Sequence, residues 1–312
     1  MRLVVVLWAL AVCAALATPA SGNELVQDPD AKLLSLKVNG KGEALLTYRR
    51  ANGSIRRVLA WGALNARAPS AEIPQVRFRW DYAGGWGKYR NGKYWKTFKN
   101  RCRPYDGPAL PMLVAACKAP NGTYWTVQAW QRRLPLLGFD PWLPNHTHLE
   151  LHLAHFSGEL PRLEVYPNWT YGGRWQGVFG RYTYLGQPIH GFRSNAKGVP
   201  KDKYGRNLYI DTLDSWYGAG WKRESGILTH KPTGTFCHSF VPQKPFPGYP
   251  SQELRPPAPG ERHRITVGGP GVMPIMQVEL AGLTKADVGR DGEFNAIFDQ
   301  VMAGDRICAP ER

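Results

Sequence analysis

The chain has 312 residues, with 34 glycines, 26 prolines and a formal net charge of +16 at pH 7. So much glycine and proline excludes a fold of long helices and is typical of a chain that turns often. The length is enough for one large β domain or two smaller ones. The positive charge either serves solubility or suits acidic surroundings such as anionic cell-wall polymers or acidic polysaccharide.

Residues 1–22 have the layout of a cleaved secretory signal. Arg2 precedes an apolar run from Leu3 to Ala17, and small residues follow as far as Gly22. The rest of the chain has no apolar run of about 20 residues, the length that a membrane span needs. The sequence therefore predicts a secreted, extracellular protein without a membrane span.

Four cysteines follow the predicted signal, and they are Cys102, Cys117, Cys237 and Cys308. An even number in an exported chain favours disulfides over metal thiolates, and no C-x-x-C spacing occurs. Three pairings are possible in principle. Proximity in sequence favours Cys102 with Cys117, which would close a local hairpin, and Cys237 with Cys308, which would hold the C-terminal tail.

Strand-like runs separated by Asn-Gly dipeptides follow the signal, beginning with KLLSLKV, EALLTYRR and IRRVLAWGAL. Asn-Gly predicts a two-residue type I′ turn, in which both residues have positive φ. The predicted turns are Asn39-Gly40, Asn52-Gly53, Asn91-Gly92 and Asn121-Gly122, with tight turns also at Leu185-Gly186 and at Thr233-Gly234, between His230 and His238. Across Asn52-Gly53, Arg49 would face Arg56, a like-charge pair that is unfavourable unless solvent or an anion screens it.

The run from Asn145 to Phe156, NHTHLELHLAHF, alternates polar and apolar residues with the period of a half-buried strand. The leucines at 149, 151 and 153 would face the core. The polar residues would be displayed together on the opposite, exposed face, and they are His146, His148, Glu150 and His152. The predicted partner strand is LPRLEVY, residues 160–166, across Ser157-Gly158.

His146 and His148 would lie about 6.5 to 7 Å apart on such a strand, close enough to hold one metal ion. The candidates for a further ligand are His190, His230 and His238. This interpretation predicts a secreted, hydrolase-like enzyme that uses a divalent metal, with Glu150 as the candidate base. The alternative is a solvated histidine face, because the sequence identifies no third ligand. The signatures of serine hydrolases, zinc peptidases and nucleotide-binding proteins are missing.

Basic and aromatic residues alternate in WGKYRNGKYWKTFKNRCR, residues 86–103. Loop aromatics beside glycine and cations suit stacking on sugar rings, although the same alternation also fits single-stranded nucleic acid. Export, a β scaffold, loop aromatics and a basic surface together favour polysaccharide or another anionic extracellular polymer as the partner. The predicted binding residues are Trp86, Tyr89, Tyr94, Trp95, Trp169, Tyr171, Trp175, Lys88, Arg90, Lys93 and Arg174.

These patterns predict an all-β fold, a sandwich or jelly roll built from β-hairpins, with one short C-terminal helix. The helix is predicted from Glu293 to Ala303, where apolar residues recur at helical spacing. The predicted organisation is a signal over 1–22, N-terminal hairpins over 23–105, a main β-sandwich over 106–283, and a helix and tail over 284–312 that a disulfide holds. We expect a monomer that binds its polymer without a cofactor, whereas the enzyme hypothesis requires a divalent metal.

Overall fold

The computed structural model describes residues 24–26, 28–66, 76–82, 93–130, 149–171, 174–188, 193–194, 200–201, 208–215, 218–223, 227–230, 235–239, 262–267 and 273–281. Over these ranges the chain is nearly all β, the pairing is antiparallel, and one short helix interrupts it. The all-β prediction is confirmed. The predicted signal, the helix from Glu293 to Ala303 and the turn at Asn91-Gly92 lie outside the described residues, and the domain boundaries stay predictions.

The strands follow the chain from Glu24 to Ala281. In order they are β1 (Glu24–Val26), β2 (Lys32–Val38), β3 (Ala44–Arg49), β4 (Ile55–Gly62), β5 (Phe78–Tyr82), β6 (Leu113–Lys118), β7 (Tyr124–Trp130), β8 (Glu150–Phe156), β9 (Arg162–Tyr171), β10 (Arg174–Tyr184), β11 (Gln187–Pro188), β12 (Arg193–Ser194), β13 (Pro200–Lys201), β14 (Leu208–Ser215), β15 (Gly218–Arg223), β16 (Ile227–His230), β17 (Thr235–Ser239), β18 (Arg262–Val267) and β19 (Met276–Ala281). The helix α1 (Tyr94–Thr97) lies between β5 and β6.

The described strands pair into three four-stranded sheets, ordered β2-β3-β4-β5, β1-β8-β7-β6 and β15-β14-β18-β19. A fourth sheet has the order β11-β10-β17-β16, with β9 also paired to β10, and β12 pairs with β13 alone. No helix in the described ranges is long and apolar enough to cross a membrane.

The sheets β2-β3-β4-β5 and β1-β8-β7-β6 share one hydrophobic core. Leu46 and Val58 of the first sheet are buried in the same cluster as Trp125 and Leu153 of the second. The indole Nε1 of Trp125 also donates to the backbone oxygen of Gly42, at 3.1 Å. Burying each large apolar side chain contributes about 1.5 to 3 kcal/mol, so this core holds the N-terminal hairpins on the second sheet.

A second core lies on the other face of β8. Ala154 and Phe156 belong to a buried cluster with Leu163 of β9, Val178 of β10 and Ile265 of β18. All seven residues of β8 are therefore buried, and the predicted half-exposed strand is wrong. The alternation of polar and apolar residues is real, but both faces of the strand are covered.

The predicted pairing of this strand with residues 160–166 is also wrong. β8 pairs with β7 on one side and β1 on the other, whereas β9 pairs with β10. Leu163 and Val165 of β9 lie in the second core, opposite β8 and not beside it. The chain between Phe156 and Arg162 thus carries β9 into another sheet, where its apolar residues cover the second face of β8.

Three of the predicted hairpins form, but their turns are not type I′. Gly42, Gly53 and Gly122 have φ of 77, 83 and 87°, whereas Asn39, Asn52 and Asn121 do not have positive φ; Gly53 and Gly122 directly follow their asparagines, and Gly42 lies three residues after Asn39. Each glycine N–H donates to the backbone oxygen three residues earlier, at 2.9 to 3.1 Å. This is the three-residue loop in which a type I turn is followed by a left-handed glycine. The predicted tight turn at Leu185-Gly186 is confirmed, with φ of 51 and 70°.

The extra loop residue shifts the register, so that Arg56 lies opposite Tyr48 and Arg49 lies opposite Ile55. The predicted pair of facing arginines is wrong. Arg56 and Arg50 both bind the buried carboxylate of Asp28, at 3.0 and 2.7 Å. The Tyr48 hydroxyl donates to the same carboxylate at 2.5 Å.

The partners of Asp28 decide its protonation. Burial by itself raises the pKa of Asp28, but the hydrogen bonds from Tyr48 and Arg50 and the positive charges of Arg56 and Arg50 lower the pKa below its usual range. Burial and the hydrogen bond to Asp28 raise the pKa of Tyr48. Asp28 is therefore a carboxylate that ties the segment between β1 and β2 to β3 and β4.

The predicted disulfide between Cys102 and Cys117 is confirmed, with the Cα atoms 5.5 Å apart. It closes a loop of 15 residues, a length for which loop entropy predicts about 3 kcal/mol of stabilisation. Cys237 lies in β17. Its predicted partner, Cys308, lies outside the described residues, so the second disulfide stays a prediction.

Replacing the central carboxylate tests this network. Asp28→Ala should lower the free energy of unfolding by about 2 kcal/mol at neutral pH, because the buried Tyr48 hydroxyl loses its acceptor. The contribution of Asp28 should be present above the pKa of an ordinary aspartate and be lost as the pH falls through its lowered native pKa. Urea unfolding at several pH values measures both effects. Asp106→Ala is the control, since its exposed carboxylate pairs with Lys118 at the surface; an equal loss in both variants would contradict the role of Asp28.

Candidate functional site

Glu150 and His152, the two described members of the polar face that was predicted to be exposed, lie instead in the protein interior. Glu150 is aligned with Trp130 of β7, and His152 is aligned with Gln128. The His152 Nε2 and Glu150 Oε2 atoms are 3.6 Å apart, and both side chains are at most 2% exposed. We call Gln128, Trp130, Glu150 and His152 the inner polar cluster.

Gln128 shows what the inner polar cluster does for the fold. Its Nε2 donates to the backbone oxygens of Pro111 and Ile275, at 2.8 and 2.9 Å, and its Oε1 accepts from the backbone N–H of Ile275 at 2.8 Å. Beside it, the Trp130 ring makes an edge contact with Tyr209, with centroids 4.8 Å apart. The cluster therefore joins β7 and β8 to the chain before β6, to β14 and to the residue before β19.

The candidate base Glu150 is 1% exposed, so its carboxylate does not reach the protein surface. The candidate ligands His146, His148 and His190 lie outside the described residues. The predicted antiparallel pairing of the strands that carry His230 and His238 is confirmed, because His230 is aligned with Phe236 and His238 with Leu228, whereas the predicted turn at Thr233-Gly234 lies outside the described residues. In the part of the chain that is described, no three His, Cys, Asp or Glu side chains are grouped closely enough to hold a metal ion. The metal hypothesis stays a prediction.

His155 is a buried histidine that the sequence analysis missed. Its ring stacks on Trp125, with centroids 4.0 Å apart and planes 12° apart. Nδ1 lies 2.8 Å from the backbone oxygen of Gly62, and Nε2 lies 2.8 Å from Oγ1 of Thr123. Its position offered a signal, because residue 155 falls on the leucine side of the alternating pattern and not on the polar side.

The surroundings of His155 keep it neutral. Burial lowers its pKa to about 4, although the hydrogen bond to the Gly62 carbonyl raises the pKa in part. A carbonyl oxygen can only accept, so Nδ1 carries the proton and Nε2 accepts from the Thr123 hydroxyl. His155 thus acts as a fixed link from β8 to the end of β4 and to the turn before β7.

A second candidate site lies on the surface around α1. The Arg57 guanidinium of β4 lies over the Trp95 ring, 3.9 Å from its centroid, and Lys96 Nζ lies 5.5 Å from the same centroid. Lys93, Lys96, Lys99 and Arg101 are exposed, whereas Trp95 and Arg57 are half-buried. We call Arg57, Lys93, Lys96, Lys99 and Arg101 the basic surface.

The stretch that follows α1 is anchored at several points. The Asn100 Oδ1 atom accepts from the backbone N–H of Val38, and the Arg101 N–H donates to the Val38 oxygen at 2.6 Å. Cys102 is bonded to Cys117, and Arg103 forms a β-bridge with Lys118. The exposed side chains of Lys99 and Arg101 therefore project from backbone that is held against β2 and β6.

Few carboxylates accompany these cations. In the described ranges between 28 and 130 the acidic residues are Asp28, Asp30, Glu43, Asp81 and Asp106. Asp28 binds two arginines, Asp106 binds Lys118, Asp30 accepts from the Leu149 N–H, Glu43 accepts from Asn39, and Asp81 is buried. No described carboxylate lies within 4.0 Å of a cation of the basic surface.

The other predicted binding residues lie in two parts of the chain. Trp86, Lys88, Tyr89 and Arg90 lie outside the described residues. Trp169, Tyr171, Arg174 and Trp175 lie in the paired strands β9 and β10, whereas they were predicted on loops.

Comparisons of the chain with models of protein families, with curated proteins and with solved structures found no match. A function for this protein must therefore come from the chemistry of its own side chains. Within the described residues, the inner polar cluster contributes internal links, and the basic surface presents charge to solvent.

The buried, neutral His155 makes stability depend on pH. The unfolded chain binds a proton at a pKa of about 6.5 and the native protein only at about 4, so the unfolded state binds more protons between these values. Stability should be full above pH 6.5 and fall by about 3 kcal/mol as the pH drops to about 4. Urea unfolding of the protein and of His155→Phe over this range measures the difference. An equal pH slope in both proteins would contradict it.

Proposed function

We propose that this protein binds an acidic polysaccharide outside the cell, through the basic surface around Trp95. The observation that carries the proposal is a group of cations that has no carboxylate partner among the described residues and is held on anchored backbone beside an aromatic ring. Unneutralised like charges in one place favour an anionic partner, because they repel one another unless counter-ions or an anion lie between them.

The partner that fits best is a polymer. The basic surface runs from Lys93 through α1 into the stretch around Arg101, and its outer cations are exposed. Each exposed charge contact contributes little by itself. A repeating anion can engage several such contacts at once, and linked contacts strengthen one another through their high effective concentration.

The aromatic part of the site argues against single-stranded nucleic acid as the partner. Arg57 covers one face of Trp95, and its guanidinium offers several N–H donors that suit a carboxylate or sulfate. Tyr94, Trp95 and Phe98 are all half-buried, and the Tyr94 hydroxyl is fully buried. Single-stranded nucleic acid uses open aromatic faces on which successive bases stack, and these three rings do not supply such a platform.

Secretion is part of the proposal. It is supported by the signal-like residues 1–22. An exported protein with net charge of this sign meets acidic polysaccharides at cell surfaces and in the extracellular matrix. A monomer with one basic surface would attach to such a polymer without modifying it.

The test is co-sedimentation with insoluble polygalacturonate, with neutral cellulose as the comparison polymer. Binding to the acidic polymer should be clear at low salt and fall steeply at molar salt, where the Debye length is only about 3 Å. The triple variant Lys96→Ala, Lys99→Ala, Arg101→Ala should weaken binding by about tenfold, because each exposed contact contributes on the order of 0.5 kcal/mol.

A matched control removes the same charge elsewhere. The control is the triple variant Arg162→Ala, Arg181→Ala, Arg262→Ala, which alters exposed arginines on β9, β10 and β18. Arg162 pairs with Glu164, Arg262 pairs with Glu279, and Arg181 lies opposite Glu164 on the neighbouring strand. This control should bind almost as the unaltered protein does. Equal weakening by both triples would show that net charge alone drives association. Tighter binding to single-stranded DNA than to polygalacturonate would also contradict the proposal.

A further inference from the structure

Three hairpin tips of this protein carry the same reactive dipeptide, and they are Asn39-Gly40, Asn52-Gly53 and Asn121-Gly122. In an Asn-Gly pair, the glycine nitrogen can lose its proton and attack Cγ of the asparagine side chain, because glycine has no Cβ to obstruct the approach. A C–N bond forms, Nδ2 leaves as ammonia, and a succinimide ring results. Water then opens the ring and leaves an aspartate or an isoaspartate.

The tips at Asn52 and Asn121 are built alike. The Gly53 and Gly122 N–H groups donate to backbone oxygens at 2.9 and 3.0 Å. While the turn is closed, these hydrogen bonds prevent the glycine nitrogen from attacking the asparagine side chain. The Asn52 Oδ1 atom accepts from the backbone N–H and the hydroxyl of Ser54, at 3.1 and 2.7 Å. Asn121 Oδ1 accepts from the backbone N–H of Thr123 at 3.2 Å and lies 2.8 Å from the Thr123 hydroxyl. The reaction therefore needs local opening of the turn, and the tip that opens more readily reacts first.

The Asn121 tip is anchored by neighbours. The Arg103 Nη2 atom donates to the two carbonyl oxygens that precede Asn121, at 2.9 and 2.7 Å. The Thr123 hydroxyl is 2.8 Å from Nε2 of the buried His155. A Cβ built on Gly42 would lie 3.4 Å from Asn121 Nδ2, so the two hairpin tips lie close together. Opening this turn breaks several contacts beyond its own.

The Asn39 side chain is held by its own turn. Its Oδ1 accepts from the backbone N–H groups of Lys41 and Glu43, and its Nδ2 donates to the Glu43 carboxylate at 2.7 Å. The neighbouring Gly42 oxygen accepts from Trp125. The leaving group and the carbonyl of Asn39 are thus both engaged.

The Asn52 tip has no such anchors among the described residues. Residues 51–55 are all exposed, and a Cβ built on Gly53 would meet no atom within 4 Å. Among the described residues, the hydrogen bonds of the Asn52 side chain stay within its own turn. We infer that, among the three Asn-Gly tips that the structure describes, Asn52 deamidates spontaneously ahead of Asn39 and Asn121. The fold survives the change, because Asn52 supports no part of either core, and the modified protein accumulates with a new carboxylate beside Arg50.

The experiment is a time course of the folded, full-length protein in mildly alkaline buffer, followed by peptide mapping with mass spectrometry and detection of isoaspartate. The peptide with Asn52 should convert about tenfold faster or more than the peptide with Asn121, because each additional hydrogen bond at the second tip must break first. In concentrated urea the three dipeptides should convert at similar rates. Asn52→Gln should abolish conversion at that peptide.

Two variants test the cause of the difference. Thr123→Val and His155→Phe each remove the bond between residues 123 and 155, one from the surface and one from the core. Each should accelerate conversion at Asn121 several-fold and leave Asn52 unchanged, and Thr123→Val gives the answer if the other variant fails to fold. Conversion of Asn121 or Asn39 as fast as Asn52 in the folded protein would overturn the inference. So would an unreactive Asn52 whose peptide reacts in urea.

Discussion

Burial of both faces of β8 is the constraint on which the rest of the described structure depends. Leu153 faces the core shared with the N-terminal hairpins, and Phe156 faces the core shared with β9, β10 and β18. A buried polar group must be hydrogen-bonded or charge-paired, so the buried polar residues of β8 and of its neighbour β7 need partners inside the protein. The bonds that Gln128 and His155 make to distant backbone oxygens follow directly from this requirement.

The same constraint separates structural chemistry from chemistry that is open to a partner. Histidine and glutamate at the centre of the protein link strands, whereas the cations around α1 face solvent on backbone that a disulfide and backbone hydrogen bonds hold. Asp28 illustrates the difference, because its buried carboxylate neutralises Arg50 and Arg56, while Lys96, Lys99 and Arg101 have no such partner among the described residues. An anionic ligand would neutralise Lys96, Lys99 and Arg101, as Asp28 neutralises Arg50 and Arg56.

The hairpin tips show how surroundings differentiate equal local structures. Asn52-Gly53 and Asn121-Gly122 have the same turn, the same glycine φ region and the same hydrogen bond from a backbone N–H to the asparagine Oδ1. Among the described residues, only the second tip is bonded to other parts of the protein, through Arg103 and His155, and it also lies close to Gly42. The chemical fate of an identical dipeptide therefore depends on contacts that are distant in sequence.

Local signals in the sequence determined the β class, the positions of most hairpins and the disulfide between Cys102 and Cys117, because alternation, turn residues and short loops act over a few residues. Tertiary structure decided the rest. The turn type depends on the twist and register of the flanking strands. Because the loop has one residue more than predicted, Arg56 lies opposite Tyr48 and not opposite Arg49. Whether the polar face of β8 meets solvent depends on which sheet β9 joins, and a two-residue period is the same for a strand with one covered face and for a strand with two.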